Sequence, residues 1–448
     1  MTKDLTEGNS VKLIFGFTLP VLFGYLFQQL YNVTDIAIVG KYLGPQDLAA
    51  VGSTGPVSFL ILGLCMGITS GFAIPVSQTF GAKDYSKMRQ YVYNGIIIAI
   101  VFSILYAIIT VVFCKPLLRI LQTPEEIINH ASDYIIIIFA GIPFGFLYNF
   151  SSGILRSVGD SKTPLYFLLF SSVLNVVLDL VCIIIFNLGI RGAAIATIFS
   201  QLVSGILCLI YIKKKFPILK LQSEDKVFSW KLCKDLCSMG IPMGLQYSIT
   251  GIGSVILQSS VNCLGWQDVA SMATGLKIHM FFCAPFDALG TTMATFAGQN
   301  TGARKIKRIK SGLYISSFMG LIYSIFAFLI LLIFGNKFAL IFLEPNQVEI
   351  IKNVHQFLIS NSSCYFPLAL VNIIRFMIQG MGYSKLSVFA GVFEMIARGA
   401  FGFYLVPKFG FFAATFASPA AWVFADIFLV FAFIYCYREL RIKVESNL

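Results

Sequence analysis

The chain has 448 residues, of which 57% are hydrophobic and 12% charged, and its formal net charge is +12. Ordinary soluble domains carry about 25% charged residues, so this composition excludes a soluble globular protein. The positive charge does not indicate nucleic-acid binding either, because the basic residues lie in short loops and no basic, aromatic-rich soluble domain is present. The apolar runs are too long and continuous for barrel strands, so we predict a polytopic helical membrane protein.

Apolar runs separated by polar or basic segments predict twelve crossings, each meeting the requirement of about 20 residues. Several crossings contain a proline, which removes one N–H group and weakens the helix locally. In chain order the predicted crossings are 12–39, 50–79, 90–114, 131–155, 163–187, 191–212, 232–261, 268–297, 310–334, 350–379, 385–406 and 411–437.

Four sequence segments of the first half recur in the second half, in the same order and 221–223 positions later. The unit is therefore six crossings, an even number, so both copies enter the membrane from the same side. We predict two six-helix lobes related as parallel repeats, 1–212 and 231–448, joined by a cytoplasmic linker at 213–230. The pairs are LGPQDLAAVG (43–52) with LGWQDVASMA (264–273), SQTFGA (77–82) with GQNTGA (298–303), RSVGDSK (156–162) with QGMGYSK (379–385), and GIRGAAIAT (189–197) with GFFAATFAS (410–418).

Lysine and arginine are distributed unevenly between the two sets of predicted loops. One set holds about 23 of them, including the linker, and the opposite set holds about 7, counted along the chain. Because positively charged loops stay in the cytoplasm, both termini are expected there.

Polar residues inside the first-half crossings indicate an ion path. Asp35 lies in the first crossing, and Asn175 and Asp179 lie four residues apart in the fifth, on one helix face. Charged side chains inside a membrane are costly and usually face a bundle interior. Together with Asn149 and Thr197, these residues supply the oxygen ligands that suit Na⁺, or carboxyl groups that suit a proton. The alternative is that each polar group only hydrogen-bonds a neighbouring helix.

The second half does not repeat these acids. Glu394 and Arg398 are four residues apart and are expected to pair with one another. The remaining charged or polar candidates are secondary and more readily structural, namely Asp287, Arg375, Gln379 and Asp426. No GxxxxGK[ST], GxSxG or HExxH motif is present, so we expect neither ATP hydrolysis nor an enzyme, and energy from an ion or solute gradient.

The first-lobe segments LPVLFGYLFQQLYNVTDIAIVGKYLGPQDLAAVG, SQTFGAKD, NVVLD and GAAIATIFSQ resemble the MATE family of multidrug and toxic compound extrusion transporters. The resemblance extends over essentially the whole chain and is looser in the second lobe. It implies a secondary active antiporter that exports organic, often cationic, compounds in exchange for Na⁺ or H⁺, without a cofactor or ATP.

Within that family the chain resembles the bacterial DinF-like branch, whose first-lobe pocket carries the coupling ion. The resemblance implies that Asp35, Asn175, Asp179 and Thr197 couple the cation, with Na⁺ as a possible metal ion there. It also implies that Tyr31, Tyr134 and Asn149 are neighbouring pocket residues and that Pro20 allows the first helix to bend. The second-lobe acid of the NorM branch is absent from the seventh crossing, so that ion site is not expected.

Three further residues, Met243, Tyr247 and Phe282, are expected to line an adaptable substrate cavity, because Met and aromatic side chains accommodate varied ligands. The expected partners are small organic molecules and the lipid bilayer of a bacterial-type plasma membrane, with the protein a monomer that binds no nucleic acid. The alternative function is a lipid-linked glycan flippase of related fold, which the acidic first-lobe pocket disfavours.

Overall fold

The computed structural model describes residues 4–120 and 123–446 of the chain. Those residues are helical almost throughout and include no strand, which confirms the predicted all-α class. The helices are α1 (Ser10–Tyr42), α2 (Pro45–Ser53), α3 (Gly55–Gly81), α4 (Tyr85–Val112), α5 (Cys114–Ile120), α6 (Glu125–Ala140), α7 (Ile142–Ser157), α8 (Lys162–Leu180), α9 (Gly189–Lys215), α10 (Trp230–Asn262), α11 (Trp266–Gly302), α12 (Ile306–Ala339), α13 (Val348–Ser362), α14 (Tyr365–Gly380), α15 (Ser384–Ala400) and α16 (Val406–Glu445).

The described helices account for the twelve predicted crossings. By length and composition, eight helical segments pass as membrane spans, and ten do so if each of two bent helix pairs is one span. One of these segments, Ser384–Glu445, has 62 residues and is long enough for two crossings. The helix α10, with 33 residues rich in Gly and Ser, supplies the twelfth.

Two crossings are bent, and the bends have identifiable causes. The pair α6 and α7 meets at 46°, and the pair α13 and α14 meets at 50°. Gly141 separates the first pair, where a Cβ atom would lie only 2.2 Å from Ile198 Cγ2 of α9, and Pro143 follows at once. Pro367 lies in the first turn of α14. The helices α1, α3, α10 and α11, by contrast, continue through an internal proline.

The sequence repeat is also a repeat of backbone conformation. The left-handed glycines Gly44, Gly159 and Gly189 recur as Gly265, Gly382 and Gly410, and Lys83 recurs as Arg304 with φ of 59° and 58°. Each half also has a π-helical turn at the end of its fifth crossing, Val181–Ile185 and Phe401–Leu405. Matched turns at matched positions confirm that the two lobes are copies of one six-crossing plan.

Contacts within the chain define two compact units. Unit 1 contains Asp4 and Phe23–Ser248, and unit 2 contains Leu5–Leu22 and the chain from Ile249 onward. Their boundaries fall inside α1 and α10. The lobe boundaries at 212 and 231 follow the sequence repeat and stay a prediction.

The linker is an ordered part of unit 1 between residues 216 and 229. The Asp225 carboxylate accepts hydrogen bonds from Arg89 and Ser86 of α4 and from the backbone N–H of Gln222. The amide of Asn94, also in α4, donates to Val227 O at 3.0 Å and accepts from the backbone N–H of Ser229 at 2.9 Å. The start of α10 is therefore attached to α4.

Candidate functional site

The four residues predicted to couple a cation lie together inside unit 1. Asp35 is on α1, Asn175 and Asp179 are on α8, and Thr197 is on α9. Asn175 and Asp179 have no exposed surface, and Asp35 and Thr197 are 7% and 8% exposed. The two carboxyl groups interact electrostatically. Three separate helices therefore bring the four residues into one buried site.

Thr197 is the centre of the hydrogen bonds at this site. Its Oγ1 atom accepts a hydrogen bond from Tyr31 Oη at 3.1 Å and a longer one from Asn175 Nδ2 at 3.5 Å. The same hydroxyl donates to the Ala193 carbonyl of its own helix at 3.0 Å. Thr197 thereby holds α1 and α8 in position against α9.

Four oxygen atoms of these residues accept no hydrogen bond from a donor group among the described residues. Asp35 Oδ1, Asn175 Oδ1 and both carboxyl oxygens of Asp179 are buried without a hydrogen-bond partner among the described residues. Because Asn175 turns its Nδ2 toward Thr197, its Oδ1 remains an acceptor. Buried polar atoms are nearly always paired in proteins, and four unpaired acceptors on neighbouring residues are best satisfied by a cation or by protons.

Two tyrosines complete the surroundings of the carboxyl groups. Tyr31 and Tyr134 both interact electrostatically with Asp35 and Asp179. Tyr134 is 9% exposed, and Tyr31 is half-buried. Tyr31 lines the cavity of unit 1 and Tyr134 does not, and the pocket role implied for both stays a prediction.

The backbone of α8 is irregular next to the site. Asp179 lies one residue before the end of the regular helix, and the π-helical turn Val181–Ile185 follows. Ser171, Asn175 and Asp179 are spaced four residues apart and form one polar face. Such π turns are often found at functional sites, where they alter the direction of side chains.

A cavity of about 150 Å³ lies in unit 1, and its lining does not include Asp35, Asn175 or Asp179. Tyr31, Asn149 and Thr197 line it, so Tyr31 and Thr197 belong to both the cavity and the hydrogen-bonded site. Its other polar lining residues are Gln28, Tyr148, Ser171, Ser172, Ser200, Gln201 and Ser204.

Sequence reasoning did not identify these lining serines. Ser200 and Ser204 belong to a stripe of small residues on α9, a pattern that usually indicates close helix packing. Ser204 contributes a hydrogen bond to packing, since it donates to the Phe167 carbonyl of α8, whereas Ser200 donates to the Ala196 carbonyl of its own helix. The polar face that Ser171 shares with Asn175 and Asp179 was the signal that could have identified that serine.

Three predicted cavity residues lie elsewhere. Met243 is 1% exposed and lies where α10 approaches α3, since a Cβ atom on Gly67 would be 2.5 Å from the Met243 carbonyl. Tyr247 also packs near α3, with its Cβ 3.5 Å from a Cβ atom placed on Gly63. Phe282 is in unit 2, where its ring packs edge-on against Phe338 at 5.7 Å. The structure therefore does not bring these three to the unit 1 cavity.

Unit 2 contains a buried ion-pair cluster. Glu394 on α15 binds Arg375 of α14 at 3.1 Å and Arg398 of its own helix at 3.5 Å. The expected pair of Glu394 with Arg398 is present, and Arg375 is a second partner that sequence spacing could not identify. Among the residues that the structure describes, no three His, Cys, Asp or Glu side chains gather as metal ligands.

Comparisons with known proteins agree on one family. The family model MatE matches twice, at residues 20–181 and 242–404. The chain is 33% identical over 307 residues, 68% of each chain, to the Bacillus subtilis protein described as probable multidrug resistance protein YpnP. It is 24% identical to a Shewanella oneidensis FAD transporter over 75% of each chain.

Solved structures show the same fold. A crystal structure of MATE in complex with MaL6 covers 100% of both chains with a TM-score of 0.89 at 21% identity. An outward-facing multidrug resistance MATE family transporter has a TM-score of 0.88 at 22% identity, covering 100% of this chain and 99% of that one.

Proposed function

Because this chain belongs to the MatE family, whose members are membrane transporters and not enzymes, we propose that it is a multidrug efflux antiporter. It exports organic, often cationic, compounds in exchange for Na⁺ or H⁺ and works by alternating access. The coupling residues are Asp35, Asn175, Asp179 and Thr197.

The unpaired acceptor oxygens of Asp35, Asn175 and Asp179 carry this proposal. Two buried carboxyl groups with no basic side chain as partner among the described residues favour the uptake of a cation or of protons. An ion drives transport only if it binds more tightly in one access state than in the other. A cation or proton bound to these oxygens in one access state, and released in the other, couples the ion to the change of state.

The hydrogen bonding of the cavity favours the binding of organic molecules that carry hydrogen-bond donors. The hydroxyl groups of Ser171, Ser172, Ser200 and Ser204 all donate to backbone carbonyls, at 2.8–3.1 Å. Each hydroxyl oxygen therefore keeps acceptor capacity only. Protonated amines and amide N–H groups suit such a surface.

The glycan flippase alternative receives no support from this cavity. None of its lining residues is Lys or Arg, so nothing there would bind the phosphate of a lipid-linked glycan. The relative described as an FAD transporter widens the range of cargo in the family, and a phosphate-bearing cargo would need basic groups outside this cavity.

The proposal also covers the membrane, the oligomeric state and the orientation of the protein. The chain is a multi-pass membrane protein. We place it in a bacterial-type plasma membrane as a monomer, with both termini in the cytoplasm because the basic loops are on that side.

Ethidium transport into everted membrane vesicles tests this function. Asp179→Asn should reduce ion-driven transport at least tenfold, because it removes an acid from the coupling site. Asp133→Asn is the matched control, since Asp133 is an exposed partner of Arg191 and such surface pairs contribute little. Asp179→Asn vesicles that transport as well as the wild type would contradict the assignment.

A further inference from the structure

The ion-pair cluster of unit 2 connects three helices. Glu394 Oε1 binds Arg375 Nη1 at 3.1 Å, and Glu394 Oε2 lies 3.5 Å from Arg398 Nη2. Arg398 Nη1 also donates to the Thr250 carbonyl of α10 at 3.2 Å. Glu394 and Arg398 are 3% and 6% exposed, so these charges are almost removed from solvent.

The cluster lies on the helix that repeats the ion-site helix. Both α8 and α15 begin after the left-handed glycine of one conserved turn, Gly159 in the first half and Gly382 in the second. Counted from that turn, Glu394 stands where Ser171 stands, and Arg398 stands where Asn175 stands. A guanidinium group has thus replaced the amide that contributes an unpaired oxygen to the unit 1 site.

The two sites each hold two acids but differ in their basic partners, and in unit 2 Glu394 is buried whereas Asp426 is half-buried. In unit 1, Asp35 and Asp179 have no basic side chain as hydrogen-bond or ion-pair partner among the described residues. In unit 2, Asp426 of α16 interacts electrostatically with Glu394 and Arg375, which adds a second acid to the cluster. Two guanidinium groups therefore neighbour two carboxyl groups in unit 2, whereas no basic side chain among the described residues pairs with those of unit 1.

We propose that the Arg375–Glu394–Arg398–Asp426 cluster takes the place of a cation site in the second lobe, with two tethered guanidinium groups in the role of the exchangeable cation. The inference rests on the proposed function of the unit 1 site. It explains why only one of two repeated lobes couples an ion. Arginine is suited to this role because it stays protonated in any protein environment and cannot leave.

Other charged or titratable groups face the cluster. Asp287 of α11 interacts electrostatically with Arg375, and its side chain is exposed, unlike that of Glu394. His279 of α11 interacts with Arg398, and its Nδ1 lies 3.0 Å from Tyr365 Oη. Asp426 Oδ1 is buried without a hydrogen-bond partner in the described part of the chain, so it is the atom available to a new cation.

Counting cations bound by the purified full-length protein tests the proposal. Potentiometric proton uptake across the neutral pH range and binding of radioactive sodium are measured in parallel. Arg398→Asn copies the residue of the first lobe and leaves two acids with one guanidinium group, so it should bind one more cation per chain than the wild type. Arg398→Lys keeps a tethered charge and should bind the same number as the wild type.

The gain should persist in the Arg398→Asn, Asp179→Asn double variant, because it belongs to unit 2. Folded Arg398→Asn protein with the wild-type count in both measurements would overturn the inference. If Arg398→Asn does not fold, Asp426→Asn decides, since it should leave the wild-type count unchanged and loss of a cation would contradict the inference. A wild-type protein whose cation binding is insensitive to Asp179→Asn would instead count against the proposed coupling site.

Discussion

At the scale of single residues, the site depends on which polar atoms have partners. Thr197 uses its hydroxyl in three hydrogen bonds, while Asp35 Oδ1, Asn175 Oδ1 and both Asp179 carboxyl oxygens have no donor group as partner among the described residues. A pattern with satisfied positioning groups and unsatisfied acceptors is what a reversible cation site requires. The acids could be identified from sequence because charge inside a membrane is conspicuous. The hydrogen bond from Tyr31 could not, because it depends on how α1 and α9 approach each other.

Thr197→Ala should lower the apparent affinity for the coupling ion by roughly tenfold, because Tyr31 and Asn175 lose the hydrogen-bond acceptor that positions them. The ion dependence of transport rate measures this change. Thr197→Ser keeps the hydroxyl and should remain within a few-fold of the wild type. Equal ion affinity in the alanine and serine variants would remove Thr197 from the site.

At the scale of elements, apolar length predicted the crossings well, since each must span the bilayer core. The bends at Gly141 and Pro367 were not predicted, because internal prolines elsewhere leave α1 and α10 continuous. Whether a glycine or proline bends a helix depends on whether neighbouring helices stabilise the break, and that information lies in tertiary packing. The linker was expected as a polar connection, and its attachment to α4 through Asp225 and Asn94 needed the structure.

Close packing of α3 on α10 can be tested at Gly67. A Cβ atom there would lie 2.5 Å from Gly244 Cα, so Gly67→Ala must push the two backbones apart and should cost about 1–3 kcal/mol. Thermal unfolding in detergent should show a lower midpoint. Gly52→Ala is the control, because no heavy atom lies within 4 Å of its added Cβ, and its midpoint should be unchanged or higher. A Gly67→Ala midpoint equal to that of the wild type would argue against this contact.

The linker contact should depend on pH. Burial alone would raise the pKa of Asp225, but hydrogen bonds from Arg89, the Gln222 N–H and Ser86 outweigh it and lower the pKa below its ordinary value. Such a group stabilises the folded state above the unfolded pKa of about 3.9, and this stabilisation is lost as the pH falls through the lowered pKa.

Hydrogen exchange of residues 216–229 measures this stabilisation. Asp225→Asn should speed exchange at neutral pH, and the difference from the wild type should shrink in acid, after correction for intrinsic exchange rates. Glu224→Gln, a change at the neighbouring residue, is the control and should exchange like the wild type. Unchanged protection in Asp225→Asn would show that the ion pair does not hold the linker.

At the scale of the whole molecule, a duplicated plan carries unequal chemistry. Turns, bends and π-helical turns recur in both lobes, but Asp35 and Asp179 of unit 1 have no basic partner among the described residues, whereas Glu394 of unit 2 pairs with two arginines. The repeat was predictable from four sequence pairs, and the position of Arg375 beside Glu394 was not, because these residues are on different helices.

The most direct test of cation coupling is ethidium transport by purified protein in liposomes at clamped membrane potential, with sodium and proton gradients imposed separately. The wild type should respond to at least one gradient, and Asp179→Asn should respond to neither while still binding ethidium. A wild-type protein that transports ethidium at one rate regardless of both gradients would contradict cation coupling at Asp35 and Asp179.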